Sequence, residues 1–167
     1  MKGKSSSCKG ENCLYLNCYN KRYKMNRIEA TKSIVLKEIT GKINDSEILH
    51  ILYSQDITWK HVQAIKHLTD FKDEILSSWL NVSVKTFREY KKPRSTFKGN
   101  FKEQVLHLLS LFKHGVEVFG SITAFDKWLH DKNFYFDSKT PASFINTITG
   151  IKFVDERLTA MEYGDNV

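Results

Sequence analysis

"FKEQVLHLLSLFKHGVEVFG", residues 101–120, is the stretch that decides the fold class. Val105, Leu108, Leu109, Phe112, Val116 and Phe119 fall at i, i+3, i+4, i+7, i+11 and i+14, the spacing of one face of an amphipathic helix. Gly120 supplies the stop, because a residue without Cβ takes the left-handed conformation freely. Ser121 then caps a second helix, with Ile122, Phe125, Trp128 and Leu129 on one side. "HDKNFYFDSK", residues 130–139, reads as a loop with aromatics, partly extended. "KTPASFINTITG", 139–150, carries the signals of a short helix over 141–149: Thr140 as cap, Pro141 at the first position, Gly150 as stop. Its Phe144, Ile145 and Ile148 make an apolar face. A last helix runs through "IKFVDERLTAMEYG", where Ile151, Val154, Leu158 and Met161 repeat at helical spacing and Gly164 closes it.

Upstream, Pro93 and Gly99 in "KKPRSTFKGN" mark a boundary. Before it lies "DEILSSWLNVSVKTFREYKK", residues 73–92. Ile75, Leu76, Trp79 and Leu80 stripe one short helix. Asn81 tolerates the left-handed turn, and Val82 plugs it. Ser83 caps a second helix whose inward residues are Phe87 and Tyr90. Small Ser77 lets the two helices approach, which is a helix-turn-helix arrangement. Lys85, Thr86, Arg88, Glu89 and Lys92 are left outward, the mix of phosphate-holding cations and base-edge partners that a DNA-reading helix uses. Lys91, Arg94, Lys98 and Lys102 extend the basic surface. The same pattern also occurs in helix hairpins that bind no nucleic acid. Further upstream, Thr58 caps a helix through Trp59, Val62, Ile65 and Leu68, and Ser46 caps one through Ile48, Leu49 and Leu52. Ile28 to Ile39 carries a weak helical pattern, broken at Gly41–Asp45.

The net charge of +7 is unevenly spread. Residues 1–27 carry +6, 28–59 carry −2, 60–102 carry +6 and 103–167 carry −3. The basic middle can attract a polyanion such as DNA, while the acidic end should not share that partner. Cys8, Cys13 and Cys18 stand in a basic, polar tail without periodicity. The C-x4-C-x4-C spacing lacks a tight C-x-x-C knuckle and a fourth ligand, so free thiols are expected rather than a zinc site. Met25 is a second candidate start, which would make the first 24 residues an upstream extension. No apolar run has membrane-spanning or signal-peptide character, so a cytoplasmic protein with no membrane partner is expected.

Catalytic constellations are missing. There is no Gly-rich phosphate loop, no H-E-x-x-H and no G-x-S-x-G. His50, His61, His67, His107, His114 and His130 are scattered, and only His107 and His114 share a spacing of seven. Asp155 and Glu156 are adjacent and diverge on a helix. No nucleophile, metal site or cofactor is expected, and the protein is read as not an enzyme.

The C-terminal features, in order, resemble the toxin-binding domain of the Xre/MbcA/ParS family of bacterial type II antitoxins. The matching positions are Gly120 after a long helix, the pair Trp128-Leu129, Thr140-Pro141, Gly150, Val154 and Leu158 in the last helix, and Glu162-Tyr163-Gly164 closing it. "WLNVSVKTFREYKK" is similar to that family's Xre-like helix-turn-helix, and the likeness covers roughly 58–167. Three places depart from the family pattern: Phe136-Asp137-Ser138 replaces a Gly-rich loop, Asn81 stands for the turn Gly, and Lys72 for a capping Ser.

The resemblance implies an all-α chain with an Xre-like helix-turn-helix domain followed by a small helical toxin-binding domain. The division is a tail at 1–27, N-terminal helices of uncertain role at 28–57, the helix-turn-helix at 58–102 and the toxin-binding domain at 103–167. It implies an antitoxin that blocks the active site of a cognate RES-domain toxin, one that consumes NAD or transfers ADP-ribose, and that regulates its own operon through operator DNA. A homodimer and a toxin–antitoxin hetero-oligomer are the implied assemblies. The DNA-contact candidates are Ser83, Lys85, Thr86, Arg88, Glu89, Lys92 and Arg94. The toxin-contact candidates are Lys139, Glu162, Tyr163, Gly164 and Asp165, with Trp128, Phe144, Val154 and Leu158 as core. The competing reading is a stand-alone helix-turn-helix regulator whose C-terminal domain only dimerises.

Overall fold

A computed structural model describes residues 42–93 and 95–164. The pattern at 28–39, the three cysteines, Arg94 and Asp165 lie outside those residues. Among the described residues seven helices follow one another: α1 Asp45–Ser54, α2 Trp59–Thr69, α3 Asp73–Trp79, α4 Val84–Glu89, α5 Gly99–Phe119, α6 Ile122–His130 and α7 Ile148–Glu162. Single 3-10 turns occupy Phe134–Phe136 and Pro141–Ser143. No strand occurs among the described residues, and the fold is all-α.

α5 is the axis. It packs against α1 and α2 on the upstream side and α6 and α7 on the downstream side. The expected single apolar face understates its role, since every residue from Gln104 to Phe112 is buried. Leu106 and Leu111 fill the sides that the stripe leaves out. The polar residues among them find partners, as burial requires. Gln104 Nε2 donates to the carbonyl of Trp79 at 2.7 Å and to that of Asn146 at 2.9 Å, tying the end of α3 to the segment before α7. Ser110 Oγ accepts from the backbone of Ile43 at 3.1 Å.

The two short helices α3 and α4 form with a tight turn between them. Asn81 sits at φ 50°, the left-handed conformation that glycine would otherwise supply. Ser77 is buried, and its carbonyl accepts from Val82 N at 3.0 Å across the turn. Ser83 Oγ caps α4 by accepting from Thr86 N at 3.1 Å. Phe87 and Tyr90 are buried, and Phe87 meets the Trp59 ring edge-on at 5.2 Å, locking α4 onto α2. Lys72 precedes α3 without a side-chain capping bond.

Two cap assignments shift. α1 is capped by Asn44, not Ser46: Asn44 Oδ1 accepts from Glu47 N at 2.9 Å, and Glu47 Oε2 accepts from Asn44 N in return. The larger correction concerns "KTPASFINTITG". No helix spans 141–149. Thr140 and Pro141 open only one 3-10 turn, the chain bends through Phe144–Asn146, and Thr147 then caps α7 by accepting from Gly150 N at 3.1 Å. Gly150 is therefore inside the first turn of α7 rather than at a stop. A Cβ there would lie 1.8 Å from the Phe144 carbonyl oxygen, so it is this close backbone approach that requires glycine. Gly120, by contrast, ends α5 at φ 73°, and Ser121 Oγ caps α6 by accepting from Ala124 N at 3.2 Å. The loop between α6 and the Pro141 turn closes with one bridge between Asn133 and Lys139. Asp137 and Ser138 hold φ 52° and 59°, the left-handed conformation that glycine takes freely.

Candidate functional site

Two surfaces carry the sequence-derived candidates. On the helix-turn-helix, Ser83, Lys85, Thr86, Arg88, Glu89 and Lys92 are all exposed. They line the outer side of α4, because Phe87 and Tyr90 take its inner side. Acidic neighbours already hold several of the cations. Asp73 takes Lys66 Nζ at 2.6 Å and Lys91 Nζ, and lies 3.9 Å from Arg88 Nε. Arg88 Nη2 reaches Glu74 Oε1 at 3.0 Å, and Lys92 pairs with Glu89 at 2.5 Å. Hydrogen bonds from Lys66 and Lys91 hold the Asp73 carboxyl below the usual carboxylate range. Lys102, expected to extend the basic surface, pairs with Asp56 at 2.8 Å.

The second surface is built on α7. Ile151, Val154 and Leu158 are buried, seating the helix on α5. Its end is held by His114 of α5, which is 2% exposed. His114 Nδ1 lies 2.6 Å from Asp155 Oδ1, and Nε2 lies 3.5 Å from Glu162 Oε2. The hydrogen bond with Asp155 raises the His114 pKa from its usual range, outweighing the burial that would lower it. His107, seven residues before, goes the other way, since burial and the Lys152 charge lower it. The two histidines share a helix but not an environment.

Glu162, Tyr163 and Gly164 come together at the end of α7. Gly164 takes φ 91° and Tyr163 stands 85% exposed. Glu162 is also turned toward His114. Lys139 is exposed elsewhere, its Nζ 6.0 Å from the Phe144 ring centroid. Phe144 touches Phe153, ten residues before Tyr163 and so about 15 Å along the helix axis, which keeps Lys139 apart from the chain end. Trp128 is partly buried among Phe119, Phe125 and Phe136, and Leu129 is fully buried.

Residues 114–164 match the family model of the antitoxin Xre/MbcA/ParS C-terminal toxin-binding domain. The matched domain takes in the end of α5, α6, both 3-10 turns and α7. It contains each C-terminal motif position from Gly120 to Gly164. It leaves α1–α4 outside, although the sequence resemblance reaches back to residue 58. No curated protein matches the chain. No single described helix is long and apolar enough to cross a membrane.

Sequence reasoning passed over three residues in or bordering this domain. Gln104 bridges its inner side to α3. Arg157 is buried with its guanidinium carbon 3.4 Å from the Tyr135 ring centroid. Phe134 is 88% exposed. The signal for the last two was legible as a Phe-Tyr-Phe triplet in an otherwise polar loop, but its pairing with α7 required the fold.

Proposed function

We propose that this chain is the antitoxin of a type II toxin–antitoxin system. Its C-terminal domain blocks the active site of a cognate RES-type toxin that consumes NAD or transfers ADP-ribose, and it acts by occlusion in the cytoplasm, without a reaction or cofactor of its own. The match of residues 114–164 to a toxin-binding domain is the observation that carries this reading. The contact residues assigned are Glu162, Tyr163, Gly164 and Asp165 at the chain end, with Lys139 on the loop. The test is co-expression with the adjacent gene product. Growth arrest by that product and rescue by this chain are expected. A chain ending at Ala160 that still rescues growth would sink the role of the chain end.

We further propose that α3–α4 bind operator DNA and so regulate the operon, in a homodimer and in the complex with the toxin. The support is the exposed set Ser83, Lys85, Thr86, Arg88, Glu89 and Lys92 on a well-capped second helix; Arg94 is assigned to the same surface from sequence. Lys85→Ala should weaken operator binding, and the affinity should fall steeply with salt. Footprinting of the upstream region by the purified chain checks it, and unchanged binding by Lys85→Ala together with Arg88→Ala would refute it.

A further inference from the structure

We propose that Phe134, Tyr135, Phe144 and Phe153 form the apolar centre of a surface that seats the toxin, separate from the chain end; this rests on the antitoxin reading above. Phe134 is 88% exposed and Phe153 43%. The rings form two groups: Phe134 meets Tyr135 at 6.0 Å, and Phe153 meets Phe144 at 5.6 Å and buried Phe136 at 5.1 Å. Arg157 sits one helical turn after Phe153 and stacks on Tyr135, joining the loop rings to the helix rings. Arg157 is buried and so supports Tyr135 from beneath, while exposed aromatic rings are the residues enriched at protein interfaces.

The loop that presents Phe134 is held in shape before any partner arrives. Asn133 is its knot. Its N–H donates to the Lys139 carbonyl at 3.1 Å, its carbonyl accepts from Phe136 N at 3.1 Å and Ser138 N at 3.0 Å, and its side chain accepts from Tyr135 N at 3.0 Å. Two consecutive non-glycine residues, Asp137 and Ser138, are kept in left-handed backbone to close it. Strain of this kind persists where a shape is needed. A phenylalanine on a rigid knot loses little freedom on binding.

The occupant is the toxin rather than a second copy of this chain. The whole patch lies within the matched toxin-binding segment, whereas Tyr53 on α1, among the described residues the other highly exposed aromatic apart from the chain end, lies outside it. The partner surface that fits is an apolar protrusion bordered by carboxylates, which Lys139 can meet.

The test measures binding of the full chain to the purified adjacent gene product, with the melting temperature and the oligomeric state of each variant. Phe134→Ser is expected to weaken binding at least tenfold with melting and elution unchanged. Phe134→Trp should retain binding and Tyr53→Ser should match the wild type. If the wild type binds and Phe134→Ser binds equally well, the patch is refuted while the antitoxin reading stands. If Phe134→Ser changes self-association and not toxin binding, the occupant is a second copy and the proposal is overturned. If the wild type does not bind the adjacent product, the antitoxin reading falls and takes this surface with it.

Discussion

In α2–α4 the side chain that ties the helices together is an acid, Asp73, reached by Lys66, Lys91 and Arg88. In the α5–α7 pairing it is a base, His114, set between Asp155 and Glu162. The settings differ as much as the signs. Lys91 and Arg88 are exposed, so the upstream brace works in a screened, high-dielectric setting. His114 is almost wholly buried, and at the start of α7 Gly150 lies against the Phe144 carbonyl with no space left for a methyl group. Both halves rest on buried apolar side chains; the upstream half adds adjustable surface charge to that core, and the downstream half adds a buried histidine–carboxylate contact. The proposed roles suit this difference: in the DNA-binding role ion pairs can be exchanged for phosphates, and in the occluding role rigidity is a gain.

The comparison breaks first, and most severely, at Gly150. Gly150→Ala places Cβ against backbone that cannot turn aside, and a loss of about 3 kcal/mol or more is expected in urea unfolding. A loss below about 1 kcal/mol would remove the steric half of the contrast.

His114→Gln comes next. It removes a charged contact to Asp155, and about 2 kcal/mol should be lost at pH 6. The pH dependence sharpens the point. Because the folded His114 pKa is raised above the usual 6.5, its stabilisation is fully present below pH 6.5 and lost as pH rises through the folded value. The wild type should therefore lose its advantage over His114→Gln on going from pH 6 toward 9. A constant difference across that range would show that His114 acts only by packing.

Asp73→Asn tests the upstream brace, with an expected loss of about 1 kcal/mol that shrinks in high salt. The sign is opposite here. The Asp73 pKa is lowered from 3.8, so its contribution is present above pH 3.8 and disappears as pH falls through the folded value. The smallest effect is a gain. Ser138→Gly relieves left-handed strain at φ 59° and should stabilise the downstream domain by about 0.5–1 kcal/mol. A loss would mean that the Ser138 side chain holds the loop.

Much of the fold was legible wherever one local signal has one meaning. Gly120 and Gly164 read as helix ends and both take positive φ. Ser83 and Ser121 read as caps and both accept the capping bond. Asn81 read as a left-handed turn residue and is one. Gly150 misled because glycine answers two different needs, positive φ and close approach, and the one-dimensional pattern does not separate them. Pro141 was equally ambiguous, since its fixed φ opens a 3-10 turn as well as an α-helix. The pairing of His114 with Asp155 and Glu162 was hidden by distance, as 41 residues separate the histidine from its nearer carboxylate.

By itself the sequence determined the all-α class, the tight turn between α3 and α4, most caps and stops, and the order of motifs that marks the C-terminal domain. These depend on local propensity and periodicity, which act over one or two turns of chain. Only the tertiary structure decided that α5 is buried on every side from Gln104 to Phe112, that Asp73 neutralises part of the basic face, that Gly150 belongs to α7, and that Phe153 packs against Phe136 and Phe144. Each of those outcomes depends on what lies across space from a residue, and contacts between distant segments leave no fixed period in the chain.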